Sequence, residues 1–188
     1  MSLEDLAFPP TTSDLLRVTP AILRSPSDLE KINTHARNVL GLDLGTHTGW
    51  ALRRRDGTIS HGTENFTPGR NWTAGQRWMR YRSWLSALID REQIHAITFE
   101  RVVFGHSSAS ASDVYGGFRA LTEMVADAHH CELSSVAVPT IKKHWTGHGH
   151  AKKLEMIAEA KRRGFRPIDD NASDALAILH YAISKEES

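Results

Sequence analysis

The chain of 188 residues is 40% hydrophobic, 24% charged and 7% aromatic, which leads us to expect one globular domain with a short appendage rather than a two-lobed enzyme and is far from the profile of a disordered chain. Its 23 Lys and Arg nearly balance 22 Asp and Glu, so bulk charge announces no nucleic-acid partner. The single cysteine, Cys131, excludes an internal disulfide and a multi-cysteine zinc site, and no run reaches the roughly 18 apolar residues of a membrane span.

The N-terminal MSLEDLAFPP has neither the basic nor the apolar region of a signal peptide, so a soluble, cytoplasmic protein with no membrane partner is expected. Residues 1–37 hold four of the seven prolines, Pro9, Pro10, Pro20 and Pro26. They read as an extension of turns and short helices without an assigned role, leaving residues 38–188 as the domain. Charge is unevenly spread. From Arg53 to Arg91 there are eight basic and three acidic residues, and from Pro139 to Arg166 eight and two. Both stretches are candidate phosphate-facing surfaces, although a charge run is also what a solvated helix face presents.

The first strand is the apolar run Val39 to Gly45, interrupted by Asp43. Residues 49–53 and 58–62 flank Asp56-Gly57, a hairpin signal, so three antiparallel strands are expected in succession. Between Thr73 and Arg91, Trp78, Tyr81, Trp84, Leu85, Leu88 and Ile89 recur at helical spacing. A fourth strand, His95 to Glu100, ends on a carboxylate, and a helix spans Ser108 to His130. The fifth strand, Glu132 to Val138, is followed by a histidine- and lysine-rich loop. A helix from Lys152 to Arg163 stops at Gly164, and a last helix, capped by Asp170 or Asn171, runs to about Ser184. This order predicts an α/β fold, a mixed five-stranded sheet with helices on both faces.

Three carboxylates stand where burial is expected: Asp43 in the first strand, Glu100 at the end of the fourth, and Asp174 in an otherwise apolar helix. Ionised carboxylates are costly to bury without partners. If strands one and four are parallel neighbours, Asp43 and Glu100 lie side by side, and a helix crossing their ends brings Asp174 between them. Such a cluster needs a counter-charge. Hard oxygen ligands favour Mg²⁺ or Mn²⁺, and two ions about 4 Å apart can stabilise the attacking and leaving oxygens of a phosphodiester. Taken singly, Asp43 also fits a turn residue, Glu100 a strand-end cap, and Asp174 a charge favoured by the helix dipole.

Five segments together resemble the RuvC family of Holliday-junction resolvases: Gly41-Leu42-Asp43-Leu44-Gly45 with Gly49-Trp50-Ala51; Phe99-Glu100; Tyr115-Gly116-Gly117-Phe118-Arg119; Ile141-Lys142-Lys143 with residues 146–153; and residues 170–177. The resemblance implies an RNase H-like fold and a homodimer. It also implies incision of a four-way DNA junction by paired nicks, with two Mg²⁺ ions that Mn²⁺ can replace. The family's catalytic carboxylates fall on Asp43, Glu100 and Asp174. Its fourth acidic position falls on Asn171, with Asp170 one residue earlier, so either is a candidate fourth ligand. Its basic residues fall on Lys142 and on Lys153, the latter as a catalytic ammonium; Lys143, Lys152 and Arg119 are candidate DNA contacts. The family's aromatic wedge has its nearest counterpart in Phe104, one residue further from the second carboxylate.

Three other readings compete. Gly41-Leu42-Asp43-Leu44-Gly45-Thr46 also resembles the phosphate loop of sugar kinases and actin-like proteins, but those need a second lobe and a second loop. A catalytically silent junction-binding protein would keep the basic surface without needing three carboxylates. A related nuclease for other branched DNA or structured RNA would keep both.

Overall fold

The computed structural model describes residues 37–102 and 109–186. Five strands, β1 (Val39–Asp43), β2 (His47–Arg53), β3 (Ile59–Asn65), β4 (Ala96–Arg101) and β5 (Glu132–Ala137), form one sheet in the order β3-β2-β1-β4-β5. β1, β2 and β3 pair antiparallel, while β1–β4 and β4–β5 are parallel. The helices are α1 (Gln76–Glu92), α2 (Ala109–Ala128), α3 (Val138–Thr146), α4 (Lys153–Arg162) and α5 (Asp170–Glu186). The expected α/β architecture is therefore present, with helices on both faces.

Strand alternation sorts the sheet into two cores. Leu40, Leu42, Leu52, Ile97 and Phe99 pack against Tyr81, Leu85 and Leu88 of α1 and Phe118 and Val125 of α2. Val39, Ala51 and Val136 face the other way, toward Ile141 and Trp145 of α3, Met156 of α4, and Leu176 and Leu179 of α5. Central β1 is buried on both sides, which explains why its sequence is a continuous apolar run rather than an alternating one. The β2–β3 connection turns at Gly57, whose φ of 84° suits a residue without a Cβ, while the Asp56 carboxylate accepts hydrogen bonds from the Thr58 backbone and hydroxyl.

Two expectations are corrected. Lys142, Lys143 and His144 lie on helix α3, not in a loop. Pro139 sits in its first turn, where the missing N–H costs nothing, and Gly147 closes it at φ 86° with its N–H on the Lys143 carbonyl. The cap of α5 is neither Asp170 nor Asn171 but Asp169. One oxygen of the Asp169 carboxylate accepts from the Ala172 N–H at 2.8 Å and from the Thr63 hydroxyl at 2.6 Å. A helix cap thereby also ties α5 to β3.

Candidate active site

The register that places Leu42 beside Phe99 carries Asp43 alongside Glu100 at the next step, both at the C-terminal edge of adjacent parallel strands. Strand alternation turns both toward the face that α5 crosses. Two glycines let this helix sit down on the sheet. A Cβ at Gly41 would lie 2.7 Å from the Leu179 nitrogen and 2.8 Å from the Ala175 carbonyl oxygen, and one at Gly49 would lie 2.5 Å from the Asn171 carbonyl carbon. With the backbones this close, the first turns of α5 lie over the strand ends, and Asp174 reaches the other two carboxylates.

Electrostatics shows the convergence. Burial pushes the Asp43 carboxyl well above the usual carboxylate range, and Glu100, Asp174 and Asp170 add to this while Lys153 opposes it. Glu100 is pushed up to about 7 by burial and by Asp174, against the pull of Lys142. Asp174 rises to about 6, chiefly through burial, with Lys142 and Lys153 offsetting and Asp170 adding. Three half-buried acids thus hold too much negative charge for the two lysines near them. As placed, they repel one another without enclosing a common ion: among the described residues, no three His, Cys, Asp or Glu side chains form a ready-made metal cage. Their chemistry still fits a hard divalent cation, which prefers carboxylate oxygen and would relieve that repulsion.

The lysines divide into two roles. Lys142, half-buried on α3, donates to the Ala151 carbonyl at 2.9 Å, and its charge acts on both Glu100 and Asp174. Lys153 forms an ion pair with Asp170, which holds Asp170 below the usual carboxylate range and Lys153 above the usual ammonium range. One of the two candidate fourth ligands and the candidate catalytic ammonium therefore engage each other. Asn171, half-buried at the start of α5, lies against Gly49 through its backbone. Lys143 and Lys152 are exposed. Arg119 is exposed on α2 and paired with Glu123 at 2.7 Å. Phe104 falls outside the described residues.

Sequence reasoning assigned no part to two residues that hold the carboxylates in place. The buried Tyr115 of α2 donates its hydroxyl to the Glu100 carbonyl at 2.7 Å and accepts from the Val102 N–H at 3.3 Å, pinning the end of β4. Asp169 does the same for α5. An Asp directly before a helix is a capping signal, but Asp170 and Asn171, which follow Asp169, are capping residue types too. Replacing Asp169 with Ala is expected to cost about 1–2 kcal/mol, the usual loss for an N-cap, and to lower the melting temperature by about 2–4 °C per kcal/mol. Asp169→Asn, which can still cap, is expected to lose far less. Calorimetry on the pair checks this; equal melting temperatures for the Ala variant and the parent would refute the anchoring role.

No family model matches the chain, and no curated protein matches it by sequence. Solved structures do. Thermus thermophilus RuvC in complex with a Holliday-junction substrate superposes with a TM-score of 0.68 at 21% identity, covering 80% of this chain and 96% of that one. A second Thermus thermophilus RuvC structure gives 0.63 at 22%, covering 79% and 97%. The yeast mitochondrial Holliday-junction resolvase Ydc2 gives 0.60 at 14%, covering 81% and 80%. The chain thus has the fold of these resolvases. Among the described residues, no helix is long and apolar enough to cross a membrane.

Proposed function

We propose that the chain is a divalent-metal-dependent endonuclease that resolves four-way DNA junctions, acting as a homodimer that places paired nicks. The observation that carries this reading is the convergence of Asp43, Glu100 and Asp174, with Lys142 beside them, at the strand edge of a fold shared with a resolvase bound to a Holliday junction.

The cation, Mg²⁺ or Mn²⁺, would be held by the Asp43, Glu100 and Asp174 carboxylates and the side-chain oxygen of Asn171. Asp170 is the less suitable fourth ligand, because Lys153 already occupies it. When bound, such ions supply Lewis-acid stabilisation of the charge on the phosphate and its departing oxygen. The chain's own groups do the rest. The two parallel strands fix Asp43 and Glu100 to rigid backbone, and α5 fixes Asp174, so the three carboxylates are held at one edge of the sheet by regular elements. The Lys142 ammonium offsets negative charge that grows on the phosphate. The reaction is hydrolysis: a water oxygen bonds to phosphorus, the bond to the 3′-oxygen breaks, and the products carry a 3′-hydroxyl and a 5′-phosphate. A four-way junction is two-fold symmetric, so paired cuts at equivalent positions call for two such sites related by the same symmetry, which a homodimer provides.

Four-way, three-way, flap and RNA–DNA hybrid substrates, offered with Mg²⁺, with Mn²⁺ and with a chelator, test the proposal. The expected result is symmetric nicks in the four-way junction, with 5′-phosphate ends, only when metal is present. Preferential cutting of the hybrid or flap would move the activity to another branched or RNA substrate, and cutting in chelator would remove the metal from the reading.

A further inference from the structure

The arginine-rich stretch that begins in the first hairpin has no place in the site described above, yet the fold delivers part of it there. β3 runs antiparallel to β2 and ends at Asn65 opposite His47, at the sheet edge that carries Asp43 and Glu100. The Phe66 N–H then donates at 2.7 Å to the carbonyl of Thr46, in the turn directly after Asp43. The loop from Thr67 to Gly75 therefore starts on the lip of the carboxylate site.

The loop is braced. Phe66 is fully buried against Tyr81 and Phe118. Trp72 turns back so that its N–H bonds the Gly69 carbonyl at 3.0 Å, and its indole fills the space where a Gly69 Cβ would stand, 2.7 Å from Nε1. The Arg80 guanidinium, paired with Glu64, lies 5.7 Å from the Trp72 ring centre and 5.8 Å from that of Phe66. The Thr73 N–H bonds the Gln76 side chain at 2.7 Å, joining the loop to α1.

Its charge is one-sided. Between Glu64 and Asp90 the sequence has four arginines and no Asp or Glu. Arg53, Arg54, Arg119, Arg162 and Arg163 all have carboxylate partners. Arg70, Arg77 and Arg82 have none among the described residues. Arg70 is exposed on the loop, and Arg77 lies half-buried with its guanidinium 5.4 Å from the Trp78 ring centre. Unpaired guanidinium groups on a preorganised loop suit a partner with regularly spaced anionic oxygens, and a phosphodiester backbone provides these.

We propose that the β3–α1 loop and the start of α1 form a second phosphate-binding surface that holds a duplex arm of the branched substrate beside the carboxylate site, with Arg70 and Arg77 as its contacts. The proposal rests on the nuclease reading. Its test uses binding rather than cleavage: gel-shift titrations of a four-way junction in the Asp43→Asn background, from about 50 to about 200 mM salt. Arg70→Gln and Arg77→Gln should each make the slope of log K against log salt shallower by about one, and Arg70→Glu should weaken binding further than Arg70→Gln. Lys185→Gln, which removes a charge at the far end of α5, should leave the slope as it was. Melting curves confirm that each variant is folded. Slopes identical to the parent in both glutamine variants overturn the surface and leave the nuclease reading standing; a parent that binds no branched DNA overturns both.

Discussion

Asp43→Asn is expected to abolish incision, by about a thousandfold or more, while junction binding persists. Losing one preorganised charge-stabilising group costs about 10²–10³ in rate elsewhere, and Asp43 is flanked by both other acids of the cluster, so its loss also dismantles the shared ligand set. The same substitution makes a second prediction that does not depend on cleavage. A carboxylate whose pKa is higher in the folded than in the unfolded chain destabilises the fold as pH rises from the unfolded value, near 4. The window closes above the folded values, about 6 for Asp174 and about 7 for Glu100. In chelator, Asp174 and Glu100 should therefore cost the parent stability between about pH 4 and 7, and Asp43→Asn, which removes one of the repelling charges, should melt higher than the parent at pH 8. Adding Mn²⁺ should raise the parent's melting temperature more than the variant's, because the ion binds the folded parent more tightly. Calorimetry at pH 5 and pH 8, with and without Mn²⁺, reads all of this. A variant that cuts within tenfold of the parent, or melts lower than the parent at pH 8 in chelator, contradicts the carboxylate-cluster account.

Gly49→Ala is the other substitution with a large expected effect, and it changes no charge. The added methyl would collide with the carbonyl oxygen of Asn171 and stand 3.2 Å from its Cα. Those are backbone atoms of the first turn of α5, and they cannot rotate out of the way. Overpacking of this kind typically costs about 1–3 kcal/mol, and relief requires α5 to lift from β2, which carries Asn171 and Asp174 away from Asp43. Cleavage should fall at least about a hundredfold, since displacements near 1 Å have that effect on oriented groups. Gly116→Ala is the control. Gly116 is exposed on α2 with open space where its Cβ would go, so Ala should stabilise the helix by about 0.5–1 kcal/mol. A Gly49→Ala protein with the parent's melting temperature and cutting rate would show that the close seat of α5 does not position the site.

Most of the architecture was legible because it follows from local pattern. The apolar run around Leu40 and Leu42, the turn at Gly57, and the helical spacing of Tyr81, Leu85 and Leu88 each identify an element by which side chains must be buried. Helix α3 was missed because its nine residues carry Lys142, Lys143, His144 and Thr146, and only Ile141 and Trp145 face the core. So short a helix shows little periodicity, and its readable marks were Pro139 and Gly147 at the ends. The cap of α5 was expected at Asp170 or Asn171, one or two residues late, because Asp169, Asp170 and Asn171 are all capping residue types. What separates them is the Thr63 hydroxyl, more than a hundred residues away in the chain.

The sequence by itself determined the kind of fold and nominated the three acids, because a carboxylate set in an apolar strand or helix is costly unless something compensates it. The tertiary structure alone decided how the acids and bases share the site. Lys153 pairs with Asp170 and also offsets Asp43 and Asp174, whereas Lys142 acts on Glu100 and Asp174. Gly41 and Gly49 matter for the backbone that their missing side chains admit, and Tyr115 and Asp169 matter for the strand end and helix start that they tether. These assignments depend on distances between segments that touch only after folding, and spacing along the chain does not encode distance across a sheet.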